Sequence, residues 1–179
     1  MATSTPVHVP LDQYLRTTYR PDRDWINGET MERNMGEMPH ASVQAFFTQL
    51  FRNNAAIWNV RVFPEQRIQT SVEHYRIADV CVVRRDALFE PVVRTPPLLC
   101  IEVLSRDDSM SDIQERVEDY LAMGVPTVWV IDPRRRRAYQ ATANGSLHPV
   151  PVELAIAETP IRVPLPDIFA ELDELEALP

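Results

Sequence analysis

The sequence predicts a mixed α/β fold with one central sheet, because three patterns agree. Near-continuous apolar runs of strand length are typical of strands covered on both faces, and they occupy 76–84, 98–104 and 125–131. Apolar residues at helical spacing occupy 39–57, 112–123 and 167–178. Asn-Gly pairs between β-prone segments indicate hairpins, and they stand at 27–28 and 144–145. Strands and helices in this order favour a sheet flanked by helices.

The N-terminal elements are a tail, a short helix, a hairpin and a long helix. Residues 1–10 lack periodicity and are expected to form a loose tail, and residues 11–18 could form a short helix. A hairpin is predicted over 25–32. The long helix over 39–57 begins at a proline, which suits the first turn of a helix, and a strand over 60–70 follows.

The later elements are also marked by local signals. Ser111 is the predicted N-cap of the helix over 112–123, and Gly124 its C-terminal stop. Short strands interrupted by proline are expected over 150–163. The terminal helix carries an apolar stripe of Ile168, Leu172 and Leu175. This stripe docks on its own core or forms an interface between two copies.

Length, charge and composition restrict the class of protein. A length of 179 residues fits one domain, predicted over 11–179. No apolar run approaches the roughly 20 residues of a membrane helix, and residues 1–10 lack the features of a signal peptide, so the expected location is the cytoplasm. The net charge of −8 argues against a general nucleic-acid coat protein. All 18 basic residues are arginine, so no lysine is available for catalysis.

Two carboxylates stand in strands that should be free of charge. Asp79 lies within 77–83 and Glu102 within 98–104, each as the single charge of an apolar run. An ionised carboxylate buried without a partner costs several kcal/mol or more, so something must compensate at each position. Cys81 and Cys100 stand in the same runs and are expected to be buried free thiols.

A divalent cation would compensate both carboxylates at once. Mg²⁺ takes oxygen ligands, commonly one or two carboxylates with water and substrate phosphate, and a bound ion activates water for phosphodiester hydrolysis. The alternative is a buried ion pair of either carboxylate with an arginine such as Arg76, Arg84 or Arg116. Two such carboxylates in successive strands favour the metal site.

An ordered set of segments resembles the Uma-two family of the restriction-endonuclease-like PD-(D/E)XK superfamily. The resemblance runs from about residue 11 to residue 172, and Glu-Val-Leu-Ser followed by an Asp-led helix and Gly-Val-Pro is its most specific part. The matching segments are 25–29, 38–40, 78–80, 101–105, 112–116, 120–126 and 128–133. The resemblance implies a restriction-endonuclease-like core with an added N-terminal hairpin and C-terminal strands. It also implies a metal-dependent endonuclease acting on DNA, and possible homodimers.

The resemblance assigns roles to individual residues. Asp79 and Glu102 match the carboxylates that hold Mg²⁺ (or Mn²⁺). Glu29 and His40 match recurrent polar positions that complete the metal shell or position water. Arg116 stands where Uma-like sequences carry a displaced lysine; arginine can stabilise charge on a phosphate but cannot act as a base.

Two departures and two simpler interpretations qualify these assignments. Ala78 replaces the usual proline before the first Asp, and Leu104 stands where the superfamily has its lysine. Arg116 could instead form an exposed pair with Asp112, four residues earlier. The run 134–137 is a basic turn, solvated or in contact with phosphates. The two resulting hypotheses are an endonuclease and a catalytically inactive relative that serves as a binding or assembly module.

Overall fold

A computed structural model of the protein describes residues 7–34 and 36–177. Its helices are α1 (Leu11–Arg16), α2 (Met38–Asn53), α3 (Met110–Met123) and α4 (Leu165–Glu176). Its strands are β1 (Val7–His8), β2 (Arg23–Ile26), β3 (Glu29–Glu32), β4 (Val60–Gln69), β5 (His74–Arg84), β6 (Leu99–Val103), β7 (Val128–Asp132), β8 (Arg137–Ala141), β9 (Leu147–Val150), β10 (Glu153–Ala155) and β11 (Arg162–Pro164). Within these ranges, no helix has the length and apolar character needed to cross a membrane.

One mixed sheet organises the fold, as predicted. Its strand order is β1-β3-β2-β5-β6-β7-β8-β9, with β4 paired to β5, and β10 and β11 form a separate pair. All pairings of the main sheet are antiparallel except that of β6 with β7, which α3 connects. Helices α2 and α4 cover one apolar face, and α3 covers the other. Strand β5 therefore lies between two cores, which explains its long apolar run.

The local signals predict most element boundaries with small shifts, but the helix predicted over 39–57 ends at Asn53. Ser109, rather than Ser111, caps α3 by accepting the Asp112 N–H at 3.1 Å, so the helix begins earlier than predicted. Gly124 ends α3 in a left-handed conformation with φ of 101°, as expected. The Asn-Gly pairs form the turns between β2 and β3 and between β8 and β9.

The N-terminal segment departs from the predicted tail. Residues 1–6 lie outside the described part, but β1 pairs with β3. Val9 N–H donates to Gly28 O at 2.8 Å, and Trp25 Nε1 donates to Val9 O at 2.7 Å. Residues 7–10 are thus held against the hairpin, because its outer strand offers unpaired backbone groups.

The apolar stripe of α4 docks on the protein's own core. Ile168 and Leu172 are buried in the cluster that also contains Phe47 and Phe51 of α2. Leu175 remains 43% exposed. The core-docking alternative therefore accounts for two of the three stripe residues.

The second edge of β5 is shared by two strands. β4 follows the whole first edge, from Gln69 opposite Tyr75 to Val60 opposite Arg84. On the other edge, β2 pairs with residues 74–75 and β6 with residues 80–82. Residues 76–79 lie between these pairings, and we call this segment the sheet fork. Side chains take the place of a neighbouring strand there, which positions the candidate site.

Candidate functional site

Three acidic residues occupy one row across three adjacent strands. The pairs Pro64–Val80 and Gln66–Ala78 bracket the position at which Glu65 of β4 stands opposite Asp79 of β5. Opposed residues on antiparallel strands have Cβ atoms about 4.5–5.5 Å apart. Glu65 is therefore a third acidic residue of the site, and the sequence analysis did not identify it.

The row continues from Asp79 to Glu102 on the other edge of β5. Val80 pairs with Ile101, so the next register position places Asp79 opposite Glu102. The strands separate there, because Val103 N–H donates to the Asp79 side chain at 2.7 Å. The carboxylate of Asp79 thus takes over part of the hydrogen bonding between β5 and β6.

Asp79 has a basic partner on each carboxylate oxygen. Arg33 Nη2 lies 2.6 Å from Oδ1, and His40 Nε2 lies 3.3 Å from Oδ2, the oxygen that also accepts the Val103 N–H. His40 comes from the first turn of α2, where residue 39 is a proline, and its imidazole reaches Asp79 in the middle of β5.

Glu102 is fully buried, and each of its two carboxylate oxygens has a polar partner. Tyr120 OH donates to Oε1 at 2.7 Å, and Nη2 of Arg33 lies 3.3 Å from Oε2. Arg116 Nη1 lies 3.4 Å from the same Oε2. Tyr120 therefore belongs to the apolar stripe of α3 and also donates a hydrogen bond to the Glu102 carboxylate.

Arg33 joins the two central carboxylates. It follows β3 and precedes α2, and it is 8% exposed. Its Nη2 contacts both Asp79 and Glu102, while its Nη1 donates to the backbone oxygen of Ile77 in the sheet fork. A single guanidinium thus neutralises the pair and also satisfies a backbone group that lacks a strand partner.

A second buried carboxylate, Asp24 of β2, holds the arginines of this arrangement in position. Its Oδ1 accepts the Ile77 N–H at 3.0 Å, and its Oδ2 accepts Arg76 Nη1 at 3.1 Å. Arg116 Nε lies 3.6 Å from the same Oδ2. The arginines that neutralise the site are therefore themselves fixed in place by a buried carboxylate.

The two central carboxylates have opposite pKa shifts. Burial raises the pKa of Glu102 to about 7, helped by the negative charge of Asp79 and opposed by Arg33 and Arg116. Burial acts in the same direction on Asp79, but Arg33 and His40 outweigh it and hold its pKa at about 2. The two groups titrate as an interacting pair, of which Asp79 is the more acidic member.

The site opens to solvent through a small cleft. The cleft has a volume of about 160 Å³, and Glu65, His40, Asp79 and Arg33 line it. Partial burial, and then the charge of Asp79, raises the pKa of Glu65. Burial lowers the pKa of His40, but its contact with Asp79 dominates and raises it.

Glu65, which lines this cleft, has an unusual backbone conformation. Its φ of 49° lies in the left-handed region, which costs a non-glycine residue about 1 kcal/mol or more. Gln44 of α2 donates to the Glu65 carboxylate and also to Asp79 O, the latter at 2.9 Å. Strain of this kind is concentrated at functional sites.

The structure brings together four of the five residues that the sequence nominated. Asp79, Glu102, His40 and Arg116 share the site, whereas Glu29 lies on β3 with an exposed side chain and no side-chain contact to them among the described residues. The interpretation of Arg116 as an exposed partner of residue 112 is wrong. Arg116 is 7% exposed and its guanidinium points to Glu102 and Asp24, because α3 packs that face against the sheet.

The remaining sequence candidates lie elsewhere. Cys81 and Cys100 are buried free thiols, as predicted. The turn predicted over 134–137 lies one residue earlier, at 133–136, and Arg136 pairs with Asp173 and Glu176 of α4.

The donor set suits a hard divalent cation, but an arginine holds its central position. Carboxylates and an imidazole are suitable ligands, and a cleft of about 160 Å³ has room for an ion with water. Among the described residues, however, no three acidic, His or Cys side chains already converge as a metal shell. A cation bound by both Asp79 and Glu102 requires Arg33 Nη2 to leave the space between them.

Comparisons with known proteins identify the family and the fold. The family model described as "Uma2: Putative restriction endonuclease" matches residues 11–174. A crystal structure titled as a putative nuclease of DUF820 from Anabaena variabilis ATCC 29413 superposes with a TM-score of 0.76 at 20% identity, over 92% of this chain and 99% of that chain. This similarity shows a shared fold.

A more distant similarity involves a much larger protein. The cryo-electron microscopy structure of a DrdV–DNA complex matches at a TM-score of 0.40 and 19% identity, over 76% of this chain and 11% of that chain. At this score the similarity supports no conclusion. No curated protein matches the chain significantly.

Proposed function

Because the chain belongs to the Uma2 family, we propose that it is a metal-dependent endonuclease that hydrolyses phosphodiester bonds of DNA. The observation that supports this most is the row of Glu65, Asp79 and Glu102 beside His40, because three of these four side chains (Glu65, Asp79 and His40) line an open cleft. Asp79 and Glu102 would hold Mg²⁺ or Mn²⁺, with Glu65 or His40 as a further ligand. The ion would supply an activated water and neutralise phosphate charge.

The protein's own residues have separable tasks in this proposal. Arg116, fixed between Glu102 and Asp24, supplies a permanent positive charge for the phosphate. Arg33 supplies the charge that keeps the carboxylates together before an ion arrives. His40 and Glu65, which line the cleft, can hold or accept a proton from water.

Plasmid cleavage tests the proposal. We expect the wild-type protein to nick supercoiled DNA with Mg²⁺ or Mn²⁺, and Asp79→Asn and Glu102→Gln to be at least a hundredfold slower, the range that loss of one electrostatic catalytic contact produces. Asp12→Asn, a change of the same kind on exposed α1, should cleave like the wild type. Equal nicking by Asp79→Asn and wild type would assign the activity to a contaminant.

A second candidate function follows from the position of Arg33. Since its guanidinium already neutralises both carboxylates, the same site is also consistent with a DNA-binding or assembly module that has no catalytic activity. Titration calorimetry separates the two. Binding of Mg²⁺ or Mn²⁺ that is lost in Glu102→Gln supports the nuclease, and no binding at millimolar ion supports the module.

A further inference from the structure

A groove with polar and small apolar side chains leads away from the cleft along α2. It has a volume of about 500 Å³ and is lined by Ala41, Gln44, Ala45, Thr48, Arg52 and the β4 residue Pro64, among others. Its first members adjoin the site, because Ala41 follows His40 and Pro64 precedes Glu65. Small side chains at Ala41 and Ala45 keep the groove open.

The groove ends in a group of arginines. Arg52, at the end of α2, also lines a second depression of about 380 Å³ together with Arg61 of β4 and Arg85, which follows β5. The Arg85 N–H donates to Asn59 O at 3.0 Å, which holds this arginine at the start of β4. We call the continuous surface from Ala41 to Arg85 the α2–β4 groove.

The charge of this groove differs from that of the whole protein. The chain carries a net charge of −8, yet no acidic residue lines either depression. Arg52, Arg61 and Arg85 are exposed, and no ion pair or side-chain hydrogen bond engages them within residues 7–34 and 36–177. Three arginines without a charged partner among these residues therefore lie along one line that begins beside the acidic site.

We propose that the α2–β4 groove holds one strand of DNA by its phosphate backbone and leads it to the acidic site. This inference rests on the proposed nuclease function, which makes the acidic site the place where the strand is cleaved. Arginines neutralise phosphates, and an amide such as that of Gln49, which also lines the groove, donates to phosphate and sugar oxygens. From His40 to Arg52 the helix rises about 18 Å, a length equal to roughly five nucleotides of one strand in the duplex form, at about 3.4 Å each.

The same geometry predicts which end of the groove binds the DNA strand first. The acidic residues repel phosphates unless a cation lies between them, whereas the three arginines attract phosphates without one. The arginine end therefore binds first and independently of metal, and this makes binding and cleavage experimentally separable.

The test measures binding under conditions that prevent cleavage. Fluorescence anisotropy of a labelled 12-nucleotide DNA strand is recorded in EDTA over a series of salt concentrations. The triple variant Arg52→Gln, Arg61→Gln, Arg85→Gln should weaken binding equally for all base sequences. It should also reduce the slope of log affinity against log salt by about 2, at about 0.7 per phosphate contact.

Arg137→Gln is the matched control. Arg137 is exposed on β8, four strands from β4 in the main sheet, and it too lacks a side-chain partner in the described ranges. It should bind DNA like the wild type. Equal weakening by the triple variant and this control would overturn the proposal, as would absence of DNA binding by the wild type. Tighter binding of an RNA strand would overturn the assignment to DNA.

A second measurement locates the strand. Both natural cysteines are buried, so Ala45→Cys provides one accessible thiol for a fluorophore on the exposed side of α2. Addition of the DNA strand should change the emission at position 45 and not that of a fluorophore at Arg137→Cys. A change at 137 alone would overturn the placement. These binding measurements contain no metal ion, so their outcome is independent of the outcome of the cleavage assay.

Discussion

Asp79 of β5 and Glu102 of β6 stand opposite each other one position beyond the last paired residues of their strands, and one nitrogen of Arg33 contacts both. A guanidinium is thus found where the proposed function requires a divalent ion. In that proposal the two cations would compete for Oδ1 of Asp79 and Oε2 of Glu102. This competition makes the state of the site measurable through stability as well as through activity.

Replacement of Arg33 should make the protein depend on a divalent ion for stability. Arg33→Met keeps much of the side-chain volume but leaves two buried carboxylates with less compensation, so we expect the free energy of unfolding in EDTA to fall by about 3–5 kcal/mol. Added Mn²⁺ should recover part of this loss, because it binds the folded state alone. Urea denaturation with and without Mn²⁺ measures both effects.

The control for this change is Arg23→Met. Arg23 pairs with Glu32 at 3.1 Å on the exposed face of the hairpin, and loss of such a pair costs about 1 kcal/mol or less. If Mn²⁺ stabilised Arg33→Met no more than Arg23→Met, competition between Arg33 and a metal ion would be ruled out.

Removal of the Tyr120 hydroxyl should destabilise the site without removing a charge. Tyr120→Phe leaves Oε1 of Glu102 without its 2.7 Å hydrogen bond in a fully buried position. We expect a loss of about 1–3 kcal/mol in the free energy of unfolding. Tyr139→Phe is the control, since the described residues include no hydrogen-bond partner for that hydroxyl. Similar effects of the two changes would argue against a special role for Tyr120.

The strained backbone at Glu65 should separate stability from metal affinity. Glu65→Gly relieves a φ of 49°, so the free energy of unfolding should stay unchanged or rise by up to about 1 kcal/mol. The same change removes a cleft carboxylate, so the affinity for Mn²⁺ should fall.

Glu158 offers a matched comparison, because it has a φ of 57° and is exposed outside the cleft. Glu158→Gly should change stability in the same direction and leave Mn²⁺ affinity unaltered in calorimetry. Unaltered affinity in both variants would remove Glu65 from the proposed ligands.

The metal-free protein should lose stability as the pH rises from 5 to 8. The raised pKa of Glu102, about 7, means that the folded protein keeps a proton that the unfolded chain has already released. That contribution is complete below the ordinary pKa of glutamate and disappears as the pH passes the folded value. The raised pKa of His40 acts in the same direction.

The free energy of unfolding in EDTA, measured at several pH values, checks this. Glu102→Gln should show a smaller decline between pH 5 and 8 than the wild type, while its acid limb, set by Asp79 with a pKa of about 2, should persist. A decline of equal size in both proteins would show that Glu102 is not the titrating group.

Much of the site was predictable because a buried charge in a strand is visible in the sequence as a single charged residue within an apolar run. Asp79 and Glu102 each interrupt an apolar strand, and the free energy of such burial demands a partner. Arg33 shows no such pattern. It stands in a polar loop before α2, and only the tertiary approach of that loop to the sheet fork buries it.

Glu65 and Asp24 were missed for related reasons. Asp24 lies in a short strand where alternation predicts exposure, but the meeting of β2 and β5 at the fork covers it. Glu65 is placed by a left-handed φ that glutamate rarely adopts, so no propensity indicates it. Glu29 was nominated by resemblance alone, and local hairpin pairing leaves it exposed.

The sheet fork also determines how the parts of the molecule align. Its buried charges come from separate segments that also contribute to different apolar clusters: Asp24 from the hairpin, Arg76 from β5 and Arg116 from α3. Apolar surfaces tolerate small displacements, but a shift of the hairpin by one residue would separate Asp24 from both arginines. The resulting unpaired charges would cost several kcal/mol. A shift in strand register during folding is thus destabilised by the same charged groups that form the candidate site.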